Sequence, residues 1–200
     1  MAGRNIQRSA RNASGEPGTA DGGEVEGGLP SLLVQGVVAA IVACVGEFVC
    51  APIYASLAHL AIVPWAMVAC LLAVAYTYIV GFALLWAADS LSHGVKNPKA
   101  VPFVYGGVGL FGFGAWGVFV LPAIIDSLAE PQGLAGLSAG NVAATGFNCA
   151  VIGFVAFFVA RVVYPRLAAR RAAVFAMVAL TVLFAALGLF FIVRMYGVLY

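Results

Sequence analysis

Charge is what this chain of 200 residues has least of: Asp, Glu, Lys and Arg together make up 9% of it. An ordinary globular domain carries about 25% charged residues and uses them to coat its surface. Lysine is nearly missing, with Lys96 and Lys99 the only two, and the net charge is +2. That balance excludes a strongly basic nucleic-acid binder. Cysteine is sparse as well. The four present (Cys44, Cys50, Cys70 and Cys149) form no C-x-x-C, and no histidine stands at ligand spacing from any of them. A disulfide framework and a zinc motif are both excluded, no metal is expected, and the cysteines read as small buried hydrophobes. What fills the chain instead is apolar: 64% hydrophobic residues and a mean hydropathy of +1.05. The class this implies is an all-α integral membrane protein.

The few charges leave four long gaps. No Asp, Glu, Lys or Arg occurs in Phe48–Ala88, Ala100–Ile125, Pro131–Ala160 or Ala172–Val193. A helix needs roughly 20 apolar residues to cross about 30 Å of hydrocarbon. The first gap is too long for one crossing and breaks near His59–Pro64. Five transmembrane helices are therefore expected, over about 31–57, 64–88, 101–125, 140–163 and 172–194. Pro64 and Pro102 stand where helices begin, and His93-Gly94 reads as a helix stop. Trp65 and Trp86 lie about 31 Å apart along a helix axis, the spacing of two interfacial aromatics.

The basic residues alternate between connections. Lys96 and Lys99 occupy one, and Arg161, Arg166, Arg170 and Arg171 another, while 58–63 and 126–139 hold neither Lys nor Arg. By the positive-inside rule the N-terminus is expected inside and the C-terminus outside, in a bacterial plasma membrane or a mitochondrial inner membrane. Residues 31–200 form the membrane domain on this reading. Residues 1–30 are a Gly-rich polar arm with seven glycines, three arginines and four acids. A low-complexity arm of that kind is expected to be disordered alone and to order only on a partner.

Glu47 is the one acid well inside a predicted span. An intramembrane carboxylate must be paired, solvated or protonated, which makes it a functional candidate. The face around it (Gly36, Ala40, Ala43, Glu47, Cys50, Tyr54) is small and polar, suited to another helix rather than to lipid. In span four, Asn141, Thr145 and Asn148 form an i, i+4, i+7 stripe, and Asn148 falls at a depth comparable to Glu47. These residues, with Thr77 of span two, are expected to form a polar intramembrane cluster able to contact a proton or ligand. Asp89 and His93 share a helical face at i, i+4, and His59 and Asp126 share the other side of the membrane. Both pairs read as polar helix ends.

Span three carries Gly106, Gly107, Gly109, Gly112, Gly114 and Gly117. They spell G-x-G-x-x-G twice, but in an uncharged helix and not after a strand, so a dinucleotide site is excluded. At 100° per residue, Gly106, Gly107, Gly114 and Gly117 are expected on one face and Gly109 and Gly112 on the other. Small residues on two faces suit a helix packed between two neighbours.

Three functions fit these residues. The favoured one is an accessory, non-catalytic subunit of a multi-subunit membrane complex, energy-transducing ones included. The alternatives are a small oligomeric transporter or channel with Glu47 in its polar path, and a membrane-embedded lipid or quinone enzyme. The chain offers no Ser-His-Asp set, acid pair or phosphate loop, so no catalytic residue is assigned and no catalytic activity of its own is expected. Partners are expected to be membrane lipids, some of them bound, and other membrane subunits. No cofactor is expected.

Overall fold

In an apolar phase a chain must satisfy its own backbone, and helices do so within one segment. The computed structural model describes residues 30–58, 62–130, 133 and 135–199. The arm over 1–29 and His59 lie outside the described residues. The elements are α1 (Ser31–Ala58), α2 (Ile62–Tyr76), a π-turn (Thr77–Gly81), α3 (Phe82–Ser92), a 3-10 turn (Pro98–Ala100), α4 (Val101–Phe119), α5 (Leu121–Ala129), α6 (Ala139–Leu167) and α7 (Arg171–Leu199). No strand occurs among the described residues. Five helical segments are long and apolar enough to cross a membrane: Ser31–Ile53, Ile62–Ser92, Pro98–Ser127, Ala139–Leu167 and Arg171–Arg194. Their limits fall within about four residues of those read from the charge-free runs.

Local chemistry explains the ends. Ser138 caps α6 by accepting from the Asn141 N–H at 3.3 Å, and Asn97 accepts from the Lys99 N–H at 3.0 Å to start the turn into α4. Pro102 and Pro122 occupy the first turns of α4 and α5, where a missing N–H leaves no gap. Between those two helices the rod bends at Val120, because Pro122 has no N–H to give to the Val118 carbonyl. α1 runs on through Pro52. The stop after α3 differs from expectation. Among the described residues only Gly133 has a positive φ, 70°, so Gly94 does not supply a left-handed cap. The turn is closed instead by Gly94 N–H to the Leu91 carbonyl and Val95 N–H to the Ser92 carbonyl.

The π-turn has a local cause. The Thr77 hydroxyl donates to the Ala73 carbonyl at 2.7 Å, competing for the acceptor an α-helix would offer to the Thr77 N–H. The β-branched residues Ile79 and Val80 follow it, and Gly81 packs against the Thr77 methyl.

Spans consecutive in the chain run antiparallel, so α1 and α7 run parallel. α1 lies centrally and packs on α2 and α6, α4 pairs with α6, and α7 lies along α2 and α1. Ser31, Ser92, Val101, Leu167 and Arg171 gather at one end, called here the basic end. Buried Val34, Val68, Leu85, Tyr105, Phe113 and Phe157 fill the core. Trp65 belongs to it too. It is fully buried, whereas Trp86 is exposed, so only one of the two tryptophans faces outward at its end of the span.

The glycines of α4 do not divide as the helical wheel suggests. Gly106 faces Phe154, Gly109 faces the Gly153 carbonyl and Phe157, Gly114 faces Ala150, and Gly117 faces Cys149, all on α6. Gly112 faces Leu84 and the Tyr76 hydroxyl, while Gly107 has nothing within 4 Å. The arc turned to α6 is centred near Phe113 and Gly117, so Gly109 falls inside one edge and Gly107 just outside the other. At Gly109 the backbones touch: a Cβ there would overlap the Gly153 carbonyl oxygen, and one on Gly153 would overlap that of Gly109.

Candidate functional site

Glu47 is 5% exposed, enclosed between α1 and α6. The Cys149 thiol points at its Oε1 from α6 at 3.9 Å, a long contact from a weak donor. One turn further along α1, the Cys50 thiol is hydrogen-bonded to the Asn148 side chain. One turn before Glu47, Cys44 meets Cys70 of α2. Each thiol donates to the other's backbone carbonyl at 3.6 Å. Cys149 thus contacts Glu47 directly, Cys44 and Cys50 flank it one turn away on α1, and Cys70 joins through Cys44.

The helix pitch explains this gathering. Cys44, Glu47 and Cys50 follow at i, i+3 and i+6, so a narrow stripe of α1 winds past α2 and then α6. Asn148 and Cys149 are adjacent on α6, and one reaches Cys50 while the other reaches Glu47. The periodicity of α1 alone shows the near half of this arrangement. Cysteines on separate helices carry no mutual signal in a sequence.

The other candidates sort clearly. Thr145 is 1% exposed, one turn from Asn148, and its Oγ1 has no hydrogen-bond partner among the described residues. Asn141 stands at the start of α6, half-buried, its N–H taken by the Ser138 cap. Thr77 is fully buried, but its hydroxyl is committed to Ala73 within its own helix. It lies seven residues beyond Cys70, roughly 10 Å along the axis, and none of its contacts reaches Glu47. Between Thr77 and the cluster stands Tyr76, whose hydroxyl donates to the Gly112 carbonyl at 2.7 Å and whose ring packs edge-on to Phe113.

A second polar group, missed in the sequence, sits at the basic end. The Tyr105 hydroxyl donates to Asp89 Oδ1 at 2.9 Å and is also hydrogen-bonded to the Gln35 side chain. Since that hydroxyl has a single proton, the Gln35 amide must be the donor to it. Gln35 is 3% exposed, and its Oε1 has no partner among the described residues. Arg161 lies over the Tyr105 ring at 5.4 Å and the Tyr164 ring at 5.3 Å. Such cation–π contacts are each worth about 0.5–2 kcal/mol, depending on desolvation. The Asp89 carboxylate therefore faces Tyr105 rather than His93, whose Nδ1 contacts the Asp89 backbone carbonyl at 2.8 Å. At the opposite end Asp126 accepts from the Leu137 N–H at 2.8 Å and ties down the connection before α6. Its expected companion His59 is outside the described residues.

Among the described residues no three His, Cys, Asp or Glu side chains are placed to hold a metal ion. No protein-family model, no curated protein and no solved structure matches the chain.

Proposed function

We propose that the chain is a non-catalytic, membrane-embedded subunit of a larger membrane complex. The observation that carries this reading is α7. Only 11% of its most apolar window is buried inside the chain, against 56% for the first span. Lipid alone would accept any apolar surface there. Yet the outward side of α7 bears Ala172, Ala176, Ala179 and Ala186, all exposed at i, i+4, i+7 and i+14, with Leu183 the one large side chain in the row. Small residues on one face are the usual surface for a second transmembrane helix, because they let backbones approach. The glycines of α4 serve the same purpose inside the chain, toward α6. The N-terminus inside, the C-terminus outside and a bacterial plasma or mitochondrial inner membrane belong to this proposal, resting on the basic connections.

The test widens the outward face. Native mass spectrometry of gently extracted complexes is expected to find other membrane subunits with the wild type and to lose them with Ala179→Phe. A phenylalanine facing lipid would be harmless, so unchanged assembly, or recovery only as a monomer or homo-oligomer, overturns the proposal.

A second reading has its own support. Thr145, Asn148 and Cys50 mark a polar row leading from the α6 start toward Glu47, as a transporter's entry path would. If that row carries protons or a solute, Glu47→Gln is expected to lower flux in reconstituted vesicles at least about tenfold. Unchanged flux removes the transport reading.

A further inference from the structure

We propose that Arg161 marks a headgroup site for an anionic phospholipid at the basic end of the α4–α6 pair. The site lies apart from the Glu47 cluster. The inference rests on the five helices crossing a bilayer and not on the subunit reading.

Arg161 is half-buried and about 9 Å before the end of α6 at Leu167, which sets it at the level of headgroups rather than beyond them. Its two ring contacts take up the flat faces of the guanidinium. Among the described residues it has no ion pair and no hydrogen bond, and none of them offers an acceptor to the N–H donors along its edge. A guanidinium of this kind matches a phosphate, which offers paired oxygens in the same plane. Asp89 forms no ion pair with Arg161; its Oδ1 accepts from Tyr105 instead, and that bond helps hold the ring on which Arg161 lies. The Gln35 amide fixes the same hydroxyl from α1. The arginine is thus positioned before any ligand arrives.

The surroundings select for negative charge. Lys96, Lys99, Arg166, Arg170 and Arg171 are all exposed at this end, and Asp89 is the only acid among the described residues there. Basic residues near a membrane surface attract anionic lipids. A zwitterionic headgroup would bring its own ammonium into that field. Charge complementarity therefore points to a phosphatidylglycerol-like lipid, with its phosphate on Arg161 and its chains along the apolar α4–α6 surface, where Phe103 and Val162 are exposed.

The experiment compares lipids on the full chain. Purified protein is exchanged into nanodiscs of phosphatidylglycerol and phosphatidylcholine, and retained lipid is counted by native mass spectrometry. The wild type is expected to retain phosphatidylglycerol preferentially. Arg161→Gln is expected to reduce that preference about five- to tenfold, whereas Arg166→Gln, on the exposed rim, changes it less than twofold. Arg161→Lys keeps the charge without the planar fork and is expected to fall between. It also preserves the test if the glutamine variant fails to fold. Wild-type retention that does not distinguish the two lipids overturns the proposal whatever the variants do. Equal loss in the Arg161 and Arg166 variants reduces it to diffuse surface attraction and overturns it too. Displacement of the lipid by millimolar inorganic phosphate would make this a free-phosphate site, and overturns the lipid assignment.

Discussion

A leucine at Gly109 is expected to lower the unfolding temperature in detergent by roughly 6–12 °C, following from an overpacking penalty of about 3 kcal/mol. A leucine at Gly107, two residues away, is expected to leave it near the wild-type value. The two positions share composition, helix and membrane depth, and differ in what they face. A Cβ at Gly109 meets the Gly153 carbonyl and the Phe157 ring, and backbone cannot rotate away as a side chain can. A Cβ at Gly107 meets nothing within 4 Å. Alanine at Gly107 should even stabilise slightly, since glycine in a helix interior is worse than alanine by up to about 1 kcal/mol. Thermal unfolding followed by circular dichroism decides the matter. Equal melting of the two leucine variants would mean that α4 and α6 do not touch at Gly109.

Glu47→Lys is expected to destabilise the fold by at least about 3 kcal/mol, while Glu47→Gln stays within about 1 kcal/mol of the wild type. The carboxyl group is enclosed by α1 and α6, with thiols and the Asn148 amide around it. Glutamine has the same size and no charge, and its oxygen still accepts from Cys149. Lysine brings a cation that its neighbours cannot pair, because the cluster contains no second acid. Fluorescence-detected gel filtration of the two variants, with their melting temperatures, provides the measurement. A lysine variant as stable as the wild type would show that water reaches position 47, and would favour the transport reading.

The spans were legible because a membrane helix is defined by what it excludes. Four charge-free runs, Pro102 at a helix start and the basic loops set the limits to within a turn. The interior was legible only where one helix carried the whole signal, as in the small polar face of α1 around Glu47. Contacts shared between helices were not. Tyr105, Asp89, Gln35 and Arg161 come from four helices, each unremarkable in its own segment. An ideal wheel sets Gly109 apart from Gly106 because it gives angles but not the direction in which a helix faces its neighbour. Thr77 matches Glu47 in polarity, but its hydroxyl is bound within its own helix.

The π-turn over Thr77–Gly81 acts as a rotary offset in the second span. It closes with one more residue than an α-turn, which sets everything after it back by one residue's rotation, about 100°. Before the turn α2 presents Cys70 to α1 and Met67 to α7, and beyond it α3 presents Leu84 to Gly112 and Asp89 to Tyr105. An uninterrupted helix of the same sequence would have kept the first pair of contacts and swung Asp89 a quarter-turn out of reach. One hydroxyl, on Thr77, thus helps set the angular phase that brings the basic-end network together.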